Sequence, residues 1–537
     1  MTEDPSVPKE FNPLDMNNYR VEKLPKIQKS GFEKTMMYLG GPLAVLAFVV
    51  IYWFVKIPFL EHIDVSSLSK EAGIRLKELG SDGFTRINYA MLAVFAGAII
   101  LWITEAVPNY LTSLILIIVM VLTQVTTDKV AYAQLGHPVM WLNILAFVLA
   151  SMLVKTQVAK RFALWFVVRF GKNSSWVIFS FIVINVVLSA FISATTAKAT
   201  ILLPIFMVIA AIYGARGGNQ RNNFGRNLVL QNLFQINIGA SGFITGSGAN
   251  LLAGSLIAGA MGMSLFSYQD WFKAAFPLAI ILIVIGWFVG TKIIFPFKRS
   301  ERLPQIEGGI QYLKEELAKM GKMKPIEYRA IAIFLVVLAL WATDKQHGIE
   351  QTAVAFLGAV VALLPGIGIV KWNDVDIPWH LMLFSAGAYT LGAGLDATGL
   401  PATFVNATFE TMGISAQTPF WVLYLFLTSL MLFSALIFQS KTMRALIFVP
   451  IAIGVAQKFG YPIMSLSFPV ALLIEHVYVM PFNSKPAALL YTTNQYSYID
   501  TIKYGMVMML ISWVMIMVWG ETVLKWLGYT NGLFFNT

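Results

Sequence analysis

The chain has 537 residues, of which 57% are hydrophobic and 12% charged, and its formal net charge is +11. A soluble domain carries about a quarter charged residues, so this composition excludes a soluble multidomain protein and indicates a polytopic helical membrane protein. A membrane β-barrel is also excluded, because its strands would read as weakly alternating segments of about ten residues. The sequence has no cysteine, which leaves no disulfide, cysteine-ligated zinc or thiol chemistry.

The first predicted elements are a polar N-terminal tail, residues 1–35, and a first transmembrane helix, residues 36–58. The tail lacks the apolar region of a signal peptide, and we predict that it is cytoplasmic. Residues 290–329 carry nine Lys and Arg and residues 155–172 carry five, whereas residues 395–418 carry none. The positive-inside rule therefore places the first two stretches in the cytoplasm and the third outside. This distribution, and not nucleic-acid binding, accounts for the positive net charge.

A duplicated unit follows the first helix. The segment Leu-Trp-Ile-Thr-Glu at residues 101–105 returns as Leu-Trp-Ala-Thr-Asp at residues 340–344, and Pro-Val-Met-Trp at 138–141 is echoed at 376–379. The landmarks keep their order at nearly constant spacing, which favours an internal repeat over a chance likeness between apolar segments. The predicted organisation is a first repeat at residues 87–292, a cytoplasmic amphipathic linker at 293–325, a second repeat at 326–527 and a C-terminal tail at 528–537.

Each repeat contains one apolar segment that is short for a membrane span and one that is interrupted. The short segments, about residues 138–156 and 376–398, predict re-entrant hairpins. The interrupted segments, about residues 176–212 and 420–457, predict transmembrane helices that are broken near the middle.

The two interruptions carry the most informative residues of the sequence. The first reads AFISATTAKATILLP and the second FSALIFQSKTMRALIFVP. Aligning their final prolines places Thr196 on Thr442 and Lys198 on Arg444. A charged side chain at membrane depth costs roughly 2.5–3.5 kcal/mol, so basic residues at two matched places indicate an anion site in a transporter.

We predict that hydroxyl and basic groups of these interruptions bind the substrate. Hydroxyls can donate to carboxylate oxygens, Arg suits a bidentate carboxylate, and a helix that resumes after a break directs partial positive charge at the gap. The alternative is that the hydroxyls bond back to helix carbonyls and the basic side chains extend to an interface. The candidates are Thr195, Thr196, Lys198, Ser440, Lys441, Thr442 and Arg444.

A second pair of loops holds corresponding places in the two halves. Residues 239–250 read GASGFITGSGAN and residues 481–488 read PFNSKPAA, each between apolar flanks. Such stretches supply backbone groups to an ion or substrate, or they let helices pack closely. The candidates here are Thr245, Gly246, Asn250, Ser484, Lys485 and Pro486.

Other ionisable residues lie within apolar surroundings. Glu475 and His476 have three interpretations: a proton relay, a partner for Lys441, or a pair that faces the interior for packing reasons. Glu105 and Asp344 follow Trp-x-Thr at segment ends, where capping is expected. The sequence has no Walker loop, zincin motif or nucleophile elbow, so we predict a protein that is not an enzyme and that has neither a cofactor nor a metal site.

The ordered set of motifs resembles the divalent anion/sodium symporter family of di- and tricarboxylate carriers, which has a Ser-Asn-Thr motif in each repeat. SKT at residues 440–442 resembles the second motif with Asn replaced by Lys, and ATT at 194–196 resembles the first in a more eroded form. TGSGAN at 245–250 is similar to the family's Thr-Gly-Thr-x-x-Asn, and SKPA at 484–487 is similar to its Thr-Pro-Pro-Asn.

The resemblance covers roughly residues 36–527 and implies an all-α inverted repeat of about eleven transmembrane helices plus two re-entrant helical hairpins. It also implies a homodimer in the lipid bilayer, with a scaffold domain and a transport domain that moves as an elevator. The implied substrates are C4–C6 anions of the succinate, malate, fumarate, 2-oxoglutarate and citrate class. The expected location is a bacterial-type plasma (inner) membrane, with the N-terminus in the cytoplasm and the C-terminus outside.

One departure from the family pattern bears on coupling. The asparagines of the sodium sites are replaced by Thr195 and Lys441, and the basic residues would supply a permanent positive charge instead. Three desolvated charges cost roughly 8–10 kcal/mol, and half of that slows the return of an empty carrier about a thousandfold. We therefore predict an obligate anion exchanger that is indifferent to sodium. The alternatives are a sodium- or proton-coupled dicarboxylate or citrate symporter, a sulfate transporter, and a membrane receptor or structural subunit that binds without transport.

Overall fold

The computed structural model describes residues 12–20, 31–61, 63, 68–171, 173–263, 265–306, 308–400, 403–404, 407, 418–438, 440–481 and 483–534. These residues are largely helical and include no strand. Among them, eight helical segments are long and apolar enough to cross a membrane, and five shorter apolar helices have 10–17 residues. The prediction of an all-α polytopic membrane protein is confirmed. The number of about eleven spanning helices stays a prediction.

The helices of the first half precede the basic linker. They are α1 Gly31–Val49, α2 Pro58–Glu61, α3 Lys70–Thr104, α4 Asn109–Leu122, α5 Asp128–Ala133, α6 Pro138–Thr156, α7 Val158–Phe170, α8 Ser174–Phe191, α9 Thr195–Ile212, α10 Asn223–Ser241, α11 Gly248–Ala260 and α12 Tyr268–Phe288. Helix α3 is interrupted at Gly80, whose φ of 67° lies in the left-handed region that favours glycine.

The linker contains α13, Gly309–Lys319. The helices of the second half are α14 Pro325–Ala342, α15 Asp344–His347, α16 Gln351–Leu363, α17 Trp379–Thr398, α18 Phe420–Phe433, α19 Lys441–Lys458, α20 Ile463–Leu472, α21 Lys485–Tyr491, α22 Tyr498–Glu521 and α23 Val523–Trp526.

The two short apolar segments do not form the hairpins predicted at residues 138–156 and 376–398. Helix α6 is unbroken over its 19 residues and α17 over its 20. The glycines of α17 serve close packing: a Cβ at Gly387 would lie 2.3 Å from the Cβ of Ser113 in α4. Glycine therefore lets two helix backbones approach here and does not break the helix.

The hairpins lie instead where the sequence predicted broken helices. In hairpin 1, which consists of α8 and α9, Ser174 N at the start of α8 donates to Arg302 O at 3.2 Å. At the end of α9, Ile212 O accepts from Gln305 N at 2.8 Å. Both open ends thus contact the same short stretch of the linker, so the chain must reverse at the non-helical turn between Phe191 and Thr195.

Hairpin 2, which consists of α18 and α19, is built in the same way. The ring of Phe420, the first residue of α18, lies 4.8 Å from the ring of Tyr461, three residues beyond the end of α19. Its turn lies between Leu436 and Lys441, at the predicted interruption. In both hairpins the chain reverses at the break between the two helices, whereas the sequence predicted a transmembrane helix broken near its middle.

The two hairpins open towards opposite ends of α22, a helix of 24 residues that is about 36 Å long. Near the start of α22, Asp500 accepts from Arg226 of α10 at 3.1 Å. The first turn of α10 in turn contacts the linker, because Asn223 N donates to Glu301 at 3.1 Å. Near the end of α22, Ile516 O accepts from the hydroxyl of Tyr424 in hairpin 2 at 2.7 Å. Hairpin 1 therefore opens on the linker side and hairpin 2 on the other side, as an inverted repeat requires.

Candidate functional site

Four links that interrupt the α-helices meet between the two hairpins; the one between α10 and α11 contains a 3-10 turn, Ile244–Gly246. Two are the hairpin turns, and two are breaks that separate α10 from α11 and α20 from α21. Each link is followed directly by the N-terminus of a helix, where unpaired backbone N–H groups give partial positive charge. The four links are the two loops and the two interruptions that the sequence singled out.

Lys441 joins the two hairpin turns. It is the first residue of α19, and its Nζ donates to Thr195 Oγ1 of hairpin 1 at 3.3 Å. The same ammonium forms an ion pair with Glu475 Oε2 at 2.6 Å. Its side chain is 14% exposed, whereas Glu475 is fully buried. Of the three interpretations of Glu475, the geometry supports the partner of Lys441.

Glu475 also contacts the break between α10 and α11. Its second oxygen, Oε1, accepts from the Ser247 hydroxyl at 2.5 Å. Ser247 is also the Ncap residue of α11, since its Oγ accepts from Asn250 N at 3.3 Å. One residue from each of the four links, or from its edge, thus forms a continuous contact, in the order Thr195, Lys441, Glu475, Ser247.

Lys198 lies one turn into α9 and is fully buried. Its Nζ donates to Ser189 Oγ of α8 at 2.9 Å and to Ile236 O of α10 at 3.4 Å. Both partners are neutral and belong to the first half. The structure therefore places this positive charge beside the turn of hairpin 1 without a carboxylate contact.

Arg444 lies one turn into α19 and is also fully buried. Its Nε donates to Ser434 Oγ at 2.9 Å, Nη1 donates to Ile474 O at 2.9 Å, and Nη2 donates to Met431 O. These acceptors lie at the C-terminal ends of α18 and α20, where carbonyls lack helical partners. The guanidinium therefore ties two helix ends together, and its donors are engaged by backbone and hydroxyl groups.

Serine caps repeat the symmetry of the two halves. Ser440 Oγ accepts from Met443 N at the start of α19, and Ser484 Oγ accepts from Ala487 N at the start of α21, each at 3.3 Å. With Ser247 they set three of the four helix starts around the links. Their oxygens accept from their own backbones, and two of the hydroxyls also donate: Ser247 donates to Glu475, and Ser484 donates to Val477 O at 3.3 Å.

The side chains of the other predicted residues surround the cluster. The Asn250 amide donates to Ala240 O and Phe243 O, both at 3.0 Å, and so holds the end of α10 against the start of α11. Gly246 is required sterically, because a Cβ there would lie 2.2 Å from Ala240 O. Thr245 and Pro486 are buried, Thr196 and Thr442 are half-buried, and Lys485 is exposed.

Sequence reasoning missed two residues of the site, Ser247 and Ser189. Ser247 stands at the same place in its loop as Ser484, three residues before Asn250, and this Ncap spacing was readable from the sequence. Ser189 gave no such signal, because a serine within an apolar helix is common. In the described part of the chain, no three acidic or histidine side chains come together as a metal site would require.

The arrangement is suited to an anion. The ammonium of Lys441 has three N–H groups, and contacts with Glu475 and Thr195 account for two of them. No described residue accepts from the third, which can therefore donate to an incoming carboxylate, and Lys441 is partly exposed. Four helix N-termini add partial positive charge around it.

Comparison with known proteins identifies relatives along most of the chain. A profile of the family described as the sodium:sulfate symporter transmembrane region matches residues 80–530. A Staphylococcus saprophyticus protein named sodium-dependent dicarboxylate transporter SdcS is 25% identical over 455 residues; the match covers 80% of this chain and 86% of that protein. Dicarboxylate transporter 1 of Spinacia oleracea chloroplasts is 28% identical over 355 residues, covering 64% of this chain and 60% of the spinach protein. Among solved structures, the YdaH transporter of Alcanivorax borkumensis has 15% identity and a TM-score of 0.42 over 74% of this chain and 86% of that one.

Proposed function

The chain belongs to the family described as the sodium:sulfate symporter transmembrane region, and from this membership we propose that it is a secondary active transporter of C4–C6 di- and tricarboxylate anions. As a member it is a multi-pass membrane transporter and not an enzyme. The names of relatives, which include dicarboxylate transporters and a putative malate transporter of Bacillus subtilis, support the substrate class.

The observation that carries the proposal is the contact from Thr195 through Lys441 and Glu475 to Ser247. One substrate carboxylate would bind the remaining N–H of Lys441 and the N-termini of α9 and α19. The other would bind the N-terminus of α11, beside Ser247. Such a site needs both halves of the chain, and anions at paired helix N-termini are favoured by charge and by unpaired N–H donors.

The proposed mode is obligate exchange, one anion inward for one outward, in the plasma membrane. Lys198 and Arg444 are held by hydroxyl and carbonyl groups, so Glu475 compensates only part of the buried positive charge. An empty site would retain charge that is costly to carry across the membrane interior. We also propose that the protein is a homodimer and that a transport domain containing the two hairpins moves as an elevator.

The test is uptake of radiolabelled succinate, malate or citrate into proteoliposomes, with and without internal dicarboxylate. Each arm is run in sodium buffer and in potassium buffer. We expect rapid uptake only into preloaded liposomes, at equal rates in the two buffers. Robust uptake into empty liposomes driven by a sodium gradient would refute exchange, and no counterflow with any organic anion would refute the transport of carboxylates.

A coupled symporter is the second candidate, and two observations favour it. A relative is named sodium-dependent, and a carboxylate, that of Glu475, is buried in the membrane interior, where ionisable residues often mark ion pathways. Adding a pH gradient to the empty-liposome arm separates the two forms of coupling. A sulfate arm in the same assay tests the remaining alternative substrate.

A further inference from the structure

The charged side chains around the hairpin turns have an uneven balance. Among the described side chains there that are buried or half-buried, which leaves out the exposed Lys485, three are cationic, Lys198, Lys441 and Arg444, and one is anionic, Glu475. His476 is buried beside them, and no described side chain donates to or accepts from its ring nitrogens. With a neutral imidazole, the formal charge of this set is two positive units, and without Glu475 it would be three.

Glu475 is placed to act on substrate charge and not only on packing. Its two oxygens are engaged by Ser247 and Lys441, and no part of the side chain is exposed. It shares its ammonium partner with the position proposed for the substrate carboxylate. A buried charge this close is weakly screened, so it acts strongly on any anion that binds Lys441.

We propose that Glu475 is a specificity-determining residue that lowers the charge of the site by one unit and thereby matches it to a dianion. The inference rests on the proposed carboxylate transport and deepens it. A dianion leaves the occupied site neutral, whereas a trianion leaves one uncompensated negative charge in a medium of low dielectric constant. Removing the Glu475 charge shifts the match to a trianion.

The experiment compares succinate with citrate at a pH at which they are a dianion and a trianion. Counterflow is measured for the wild type, Glu475→Gln, Glu475→Asp and the double variant Lys441→Gln/Glu475→Gln. We expect Glu475→Gln to raise the citrate-to-succinate ratio of kcat/KM by roughly ten- to hundredfold. Glu475→Asp keeps the wild-type ratio. In the double variant the formal charge of the cluster is again two positive units, so its citrate-to-succinate ratio is expected to return towards the wild-type value.

Thermal stabilisation of the detergent-solubilised variants by succinate or citrate gives a second readout that does not require transport. A role limited to structure would change stability without changing the preference between the two anions. An unchanged ratio in Glu475→Gln, or a double variant that keeps the ratio of Glu475→Gln, would overturn the inference. If the wild type moves neither anion, the proposed function fails, and this outcome is distinct from an unchanged preference.

Discussion

Arg444 provides a test of whether a buried basic residue serves the fold or the substrate. The sequence predicted a bidentate partner for a carboxylate, whereas the structure shows the guanidinium on Ser434, Ile474 and Met431. We therefore expect substitutions of Arg444 to act mainly on stability.

The expected loss of stability follows from these hydrogen bonds and from a fourth, long one, from Nη2 to Leu473 O at 3.5 Å. A hydrogen bond to a charged group contributes roughly 1.5–3 kcal/mol, and a buried carbonyl left without a donor costs roughly 1–3 kcal/mol. Burying the guanidinium offsets part of this sum, so Arg444→Met is expected to destabilise by about 3–5 kcal/mol. Arg444→Lys keeps the charge but loses the fork of donors, and we expect a loss of about 2 kcal/mol.

The measurement pairs the thermal unfolding midpoint in detergent with the KM for succinate in proteoliposomes. Arg444→Lys should lower the midpoint by several degrees while KM changes little. Arg299→Met is the matched control, because Arg299 is exposed on the linker and its loss should change stability by less than about 0.5 kcal/mol. An Arg444→Lys protein with the wild-type unfolding midpoint and a strongly raised KM would refute the role of Arg444 in joining the two helix ends. It would support direct binding of the substrate by Arg444 instead.

Three further predictions concern coupling, packing and topology. Lys441→Asn rebuilds Ser-Asn-Thr and should weaken counterflow relative to net uptake into empty liposomes; unchanged counterflow would count against Lys441 as a site residue. Gly387→Ala forces a Cβ against Ser113 and should destabilise by about 1–3 kcal/mol in thermal unfolding, whereas Gly259→Ala, on an open helix surface, should be neutral or stabilising by up to about 1 kcal/mol. A cysteine at Ala407 should react with an impermeant maleimide from outside the cell, and labelling only from the cytoplasmic side would reverse the predicted orientation.

Composition and charge patterning were sufficient to predict an all-α polytopic membrane protein, and the duplicated motifs drew attention to the two interruptions. The reversal of the chain was not predictable, because an apolar segment with a polar centre reads alike in a broken span and in a hairpin. The glycines of α17 suggested a helix break in the sequence, whereas Gly387 is required because its helix packs closely against Ser113. That neighbour is not visible in the sequence. The sequence also could not predict the partners of the basic residues. Arg444 and Lys441 are three residues apart, yet Arg444 donates to backbone carbonyls and Lys441 pairs with a carboxylate.

The distribution of these contacts along the chain bears on how the protein is made. Lys198 is synthesised about 280 residues before Glu475, a delay of tens of seconds at about 5–20 residues per second. Its partners, Ser189 and Ile236, both lie in the first half, so its charge can be satisfied before the second half exists. Lys441 precedes its partner Glu475 by only 34 residues, so this ion pair can also form within one half. Within this cluster, the contacts that cross between the halves use the neutral hydroxyls of Thr195 and Ser247, so the charges of the cluster can be accommodated within each half before the two halves join.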